Sequence, residues 1–137
     1  MNQIIDTSFL FALTNRNDKN HLPCLAVAQR VKGRLIIPVT VLPEIAYLLD
    51  VRLGHQVMRQ FVAQITQPTW TLESVQSRDL SRAAALLEQY ADARLDFVDA
   101  TLVAIAERLN VNRLLSLDQR HYRIIRPIHC SAFEILP

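Results

Sequence analysis

Glycine is almost missing from this chain: Gly33 and Gly54 are the only two in 137 residues. A sequence so poor in glycine has no flexible linker, and it lacks the G-x-x-x-x-G-K-[ST] loop that cradles a nucleoside triphosphate. Cysteine is equally scarce. Cys24 and Cys130 fall in no CxxC or Cys/His spacing, which argues against a zinc site, and a structural disulfide would be out of place in a reducing cytosol. Both thiols are expected to be buried and inert. No apolar run approaches the roughly 20 residues a membrane span needs. The N-terminus lacks the basic start of a signal peptide, and Asp6 interrupts its first apolar residues. A cytoplasmic protein with no membrane partner is the expectation. Half of the residues are hydrophobic, which excludes disorder, and the length suits a single domain over residues 1–137 with one substantial core.

Charge is informative in its distribution more than its sum. A net charge of +2 does not announce a nucleic-acid partner. Of the 15 basic residues, however, 13 are Arg, and Arg113, Arg120, Arg123 and Arg126 crowd the C-terminal segment beside His121 and His129. The planar guanidinium fork suits phosphate. An arginine-biased composition with a solvated basic loop explains the cluster equally well.

Apolar periodicity organises the chain into alternating strands and helices. Asn2–Asp6 and Leu35–Val39 read as buried strands, followed by Trp70–Glu73, Arg113–Leu117 and a short Ala132–Leu136. Between them, helical spacing is carried by the stretch up to Leu13; by Leu25, Ala28 and Val31; by Ile45, Leu48 and Leu49 behind a Thr40 cap; and by Met58, Phe61, Val62 and Ile65. Leu80, Ala83, Ala84, Leu87 and Ala91 continue it, and Phe97–Leu109, apolar on most faces, reads as a central helix. Strands too far apart for hairpins imply a parallel α/β sheet, whose ligands bind beyond the carboxyl ends of the strands.

Five acids stand at the edges of these apolar runs: Asp6, Glu44, Asp96, Asp99 and Asp118. Each has a plain alternative. Asp6 can cap a helix, Asp96 and Asp99 have the spacing of a capping box, and Asp118 can pair with Arg120. Glu44 lies four residues after Thr40, so it misses the capping-box position, and it sits among Leu42, Ile45 and Ala46, where an unpaired carboxylate is costly. Taken jointly, the acids imply a cation. Two carboxylates about 4 Å apart repel by roughly 4 kcal/mol at an effective dielectric near 20. Four would protonate or separate unless a positive ion sat among them. Oxygen ligands without paired His or Cys favour Mg2+ or Mn2+ over zinc, which is the constitution of a site that cleaves phosphodiesters.

Ile4-Ile5-Asp6-Thr7-Ser8, Glu44 within Pro38 to Tyr47, Asp96-Phe97-Val98-Asp99 leading into Ala100 to Leu109, and Ser116-Leu117-Asp118-Gln119-Arg120-His121-Tyr122 together resemble the four acidic motifs of PIN domains. They look most like the VapC-type toxins of bacterial toxin–antitoxin pairs, in order and along essentially the whole chain. The resemblance implies a PIN-like three-layer α/β/α fold with a central parallel sheet, and a metal-dependent endoribonuclease that uses Mg2+ or Mn2+. By position, Asp6, Glu44 and Asp99 match the regular acidic ligands and Asp118 the more variable fourth. Asp96 stands as a ligand or a helix cap, and Ser8 as a supporting hydroxyl. Pro43, directly before Glu44, departs from the small residue usual there. Arg120, His121 and Arg123 are candidates for contact with RNA. The resemblance also implies a homodimer and a cognate antitoxin laid over the cleft. A non-catalytic PIN scaffold that binds RNA or a protein would show loss of one or more acids. A haloacid-type phosphatase would need a D-x-D pair, where this chain has Asp6-Thr7-Ser8.

Overall fold

The computed structural model describes residues 1–137. Five parallel strands, β1 (Gln3–Ile5), β2 (Leu35–Pro38), β3 (Trp70–Glu73), β4 (Arg113–Leu115) and β5 (Glu134–Leu136), form one sheet in the order β3-β2-β1-β4-β5. Seven α-helices connect them: α1 (Thr7–Thr14), α2 (His21–Arg30), α3 (Val41–Leu53), α4 (His55–Gln64), α5 (Ser77–Gln89), α6 (Phe97–Leu109) and α7 (Gln119–Ile124). The expected strands and main helices are all present, with ends displaced by a few residues. The short helix α7 was not anticipated: only six residues long, it is too brief to display a helical period.

Side-chain alternation along the central strands builds two cores, one on each face of the sheet. Ile4, Ile36 and Leu114 pack with Leu86, Leu102 and Ile105 of α5 and α6 and Tyr122 of α7. Ile5, Ile37 and Leu115 pack on the other face with Phe9, Leu10, Ile45 and Leu49 from α1 and α3. Three α/β/α layers result. Each fully buried Leu or Ile contributes about 1.5–3 kcal/mol of transfer free energy. No helix is long and apolar enough to cross a membrane.

Arg108 of α6 fastens the first layer. Its guanidinium donates to Asp79 of α5 at 2.9 and 3.1 Å, to Glu73 at the end of β3 at 3.0 Å, and to the Ser74 carbonyl at 3.1 Å. Arg82 and Glu107 form a second bridge between the same helices at 2.7 Å. Gly33 precedes β2 at φ 93°, and a Cβ there would collide with the Met1 carbonyl. Cys24 is buried as expected, whereas Cys130 is only partly covered, because it lies in the irregular turn before β5.

The strand order reverses beside β1. The chain leaves β1 for β2 and β3 on one side, then returns through α5 and α6 to place β4 on the other. Two connections diverging from neighbouring strand ends leave a crevice at the carboxyl edge, the preferred ligand position of an open parallel sheet.

Candidate metal centre at the carboxyl ends of β1 and β4

Asp6 is the first residue past β1 and the N-cap of α1. Its Oδ1 accepts the Thr7 N–H at 2.7 Å. Its Oδ2 accepts the Ser116 hydroxyl at 2.8 Å and faces the Ser8 hydroxyl at 3.3 Å. Ser8 Oγ in turn accepts the Leu117 N–H at 3.0 Å, and Ser116 Oγ accepts the Asp118 N–H at 2.9 Å. These two serines stitch the end of β1 to the segment after β4, so Asp6 and Asp118 are held by one short network.

Asp96 and Asp99 open α6. Asp96 is its N-cap, with Oδ1 accepting the Asp99 N–H at 2.8 Å. Asp99 is buried, and its Oδ1 accepts the Tyr122 hydroxyl from α7 at 2.9 Å. Asp118 is the N-cap of α7, accepting the His121 N–H at 3.3 Å, and its Oδ2 lies 2.9 Å from His121 Nδ1. The expected Asp118–Arg120 pair does not form, since Asp118 turns inward to His121 and Arg120 lies exposed. His121 Nδ1 is also 3.8 Å from Asp99 Oδ2. Ligand atoms of Asp99, Asp118 and His121 all lie within 4.8 Å of one another.

Glu44 projects from the first turn of α3, half-buried and without an ion-pair partner. Thr40 occupies the N-cap position of α3 but makes no capping bond. Its hydroxyl lies 2.9 Å from Thr101 Oγ1, and Thr101 donates to the Val98 carbonyl at 2.8 Å. Thr40 therefore joins the helix that carries Glu44 to the helix that carries Asp99.

The acids perturb one another. Burial pushes Asp6 up to about 6, with the Glu44 charge adding to the rise and the bonds from Ser116, Thr7 and Ser8 opposing it. Burial pushes Asp99 up to about 7, helped by Asp6, Asp96 and Asp118 and opposed by Tyr122. The hydrogen bond to Asp118 raises His121 above its ordinary value. Elsewhere the protein neutralises buried acids with arginine, as it does Asp79 and Glu107. None of the five acids here has an Arg or Lys partner, and the only basic side chain among them is His121. A carboxylate-rich set with one histidine, left without arginine, fits a divalent cation.

The remaining candidates divide. His121 belongs to the acidic cluster itself. Arg120 lies beside it, in the wall of a shared depression. Arg123 is exposed and bonds Gln119 on its own helix. Arg113 pairs with Glu134 at the opposite end of β4, so the basic cluster of the sequence is split by the sheet. Ser116, Tyr122 and Thr101 were not singled out in the sequence. Ser116 carried a signal, a small polar residue inside the apolar run Leu114 to Leu117. Tyr122 carried none, because its position depends on α7.

A PIN-domain family model matches residues 4–127. The chain belongs to the PIN-domain family. This PIN domain is 28% identical over 134 residues to ribonuclease VapC26 of Mycobacterium tuberculosis, covering 98% of this chain and 99% of that protein. Its fold is shared with the crystal structure of Mycobacterium tuberculosis VapC20, a sarcin–ricin loop cleaving toxin. The TM-score is 0.81 at 24% identity, covering 86% of this chain and 91% of that one. VapBC2 from Rickettsia felis, crystallised with a DNA fragment from its promoter, gives a TM-score of 0.73 at 13% identity over 100% of both chains.

Proposed function

We propose that this PIN domain, residues 1–137, is a metal-dependent endoribonuclease and the toxin of a toxin–antitoxin pair. It acts in the cytoplasm and hydrolyses RNA phosphodiester bonds. Asp6, Glu44, Asp99 and Asp118 hold Mg2+ or Mn2+, and Asp96 both caps α6 and adds negative charge at the site. The observation that carries this reading is the Asp99–Asp118–His121 cluster, within 4.8 Å, with Asp6 and Asp96 near enough to act on Asp99 and Glu44 on Asp6, and no Arg or Lys paired with any of the five acids. Similarity to a ribonuclease along almost the full chain supports RNA as the substrate.

A divalent ion held there supplies Lewis acidity, acidifying water and offsetting charge on phosphate oxygens. The protein's own groups prepare for it. Ser116 and Ser8 orient Asp6 by donating to one of its oxygens. Tyr122 fixes the rotamer of Asp99. Thr40 and Thr101 set the distance between the Glu44 and Asp99 helices. Arg120 and His121, at the edge of the acids, contact phosphate groups of the RNA, and Arg123 lies further out on the same helix.

The exposed Tyr47 and Val51 follow Glu44 at helical spacing on α3. This apolar stripe leading to the acids suits a cognate antitoxin or a second copy in a homodimer. A non-catalytic scaffold is not favoured, because all the acids are retained.

Asp6→Asn and Asp99→Asn test the assignment. Each is expected to abolish cleavage of RNA in the presence of Mg2+ or Mn2+ while leaving far-UV circular dichroism unchanged. Full activity in both variants would refute it.

A further inference from the structure

Beside the acidic centre lies an open depression of about 600 Å3, walled by Asp92, Ala93 and Arg94 on one side and Arg120, His121 and Ile124 on the other. His121 belongs to both places: its Nδ1 lies 2.9 Å from Asp118, and its ring also lines the depression. The depression therefore adjoins the acidic cluster and is in the size range of small-ligand sites.

Two of the protein's unpaired arginines meet in this depression. Arg82, Arg108 and Arg113 are each tied to a carboxylate. Arg94 and Arg120 make no side-chain hydrogen bond or ion pair, although Asp92 stands in the same wall. Ile124, half exposed, supplies an apolar surface between them.

Backbone geometry places Arg94. Arg94 ends the single 3-10 turn Ala91–Ala93 in the left-handed region, at φ 56° and ψ 42°. The other positive-φ positions hold Gly33, Gly54 and Asn110, residue types that adopt such angles readily. Only at 94 does a long cationic side chain stand in a conformation disfavoured for it, and there it lines the depression. The left-handed cap ends the turn, its N–H bonded to the Ala91 carbonyl, and leaves Arg94 in the wall of the depression.

We propose that this depression binds the nucleotide adjacent to the scissile phosphodiester of single-stranded RNA, with Arg94 and Arg120 on its flanking phosphates and its ribose or base against Ile124. This rests on the endoribonuclease reading above and adds Arg94 as a substrate-positioning residue. A protein partner is less suited, because two free guanidinium groups around an open hollow match a phosphate chain better than a packed apolar contact.

Binding and cleavage are measured separately, so that the two proposals can fail independently. In the Asp99→Asn background, a short single-stranded RNA is titrated against Arg94→Gln, Arg120→Gln and the double variant at several salt concentrations. The double variant is expected to bind at least about 10-fold more weakly. Its slope of log K against log salt should be shallower by about 1.4, or about 0.7 for each phosphate that is no longer neutralised. With Asp99 intact, the two substitutions should raise KM much more than they lower kcat, and Arg94→Lys should restore part of the affinity. Equal melting temperatures establish that the variants fold. Unchanged affinity and salt slope in the double variant would overturn the nucleotide site even if the enzyme cleaves RNA. So would loss of antitoxin binding with RNA binding intact. Loss of RNA binding in a protein that never cleaves would uphold the site and refute the nuclease.

Discussion

Asp6 and Asp99 are held in the folded protein at a cost that varies with pH. Both are raised above the ordinary carboxylate value of 3.8, to about 6 and about 7, because burial and neighbouring acids disfavour the charged form. Between roughly pH 4 and 7 the folded chain thus binds more protons than the unfolded chain. Stability is fully present below about 3.8 and is lost as pH rises through 6 and 7. Without divalent ions, the melting temperature should be higher at pH 5 than at pH 8. Adding Mg2+ or Mn2+ should raise it more at pH 8, since ions compete with protons for the same oxygens. A melting temperature independent of pH and metal would contradict both the mutual repulsion and the cation site. Tyr122→Phe probes one support. It removes a buried donor to Asp99, so cleavage should fall about 10- to 100-fold, with the pH at which metal binds moving upward. A titration of metal affinity against pH reads this directly.

At the scale of elements, the site depends on how helices are pinned to one another. Asp79 is 2% exposed and receives two bonds from Arg108, while also closing the capping box of α5 through the Gln76 N–H. Asp79→Ala leaves Arg108 with Glu73 and the Ser74 carbonyl as its remaining partners and should destabilise the protein by about 1–3 kcal/mol in denaturant unfolding. Thr40→Val acts differently. It keeps the shape but breaks the bridge from α3 to α6. Its expected signature is weaker metal affinity, with the stability of the metal-free protein changed by only about 1 kcal/mol or less. Equal metal affinity in Thr40→Val would show that Glu44 is placed by its own helix alone.

For the whole molecule, the fold and the site draw on different interactions. Two apolar cores hold the sheet from both faces, whereas the acids oppose compaction. Chelation with EDTA should therefore abolish cleavage without unfolding the chain, as circular dichroism and a cleavage assay on one sample would show. Coincident loss of both would mean that the cation is structural. The order of buried strands and the amphipathic helices were legible because burial leaves a period in the sequence: Leu35 to Val39 is continuous and apolar, and Ser77 to Gln89 repeats at helical spacing. All five acids could be marked in advance, since each interrupts such a pattern. What periodicity does not record is which strand lies beside which. Placing β4 next to β1 brings Ser116 to Asp6, His121 between Asp118 and Asp99, and Arg94 opposite Arg120, while it sends Arg113 to the far end of the sheet. Residue chemistry by itself determined that carboxylates would end the buried runs, because a charged group cannot continue them. Only the tertiary structure decided which groups share the crevice, because those contacts span up to 110 positions of chain and are set by the packing of two cores rather than by any local preference.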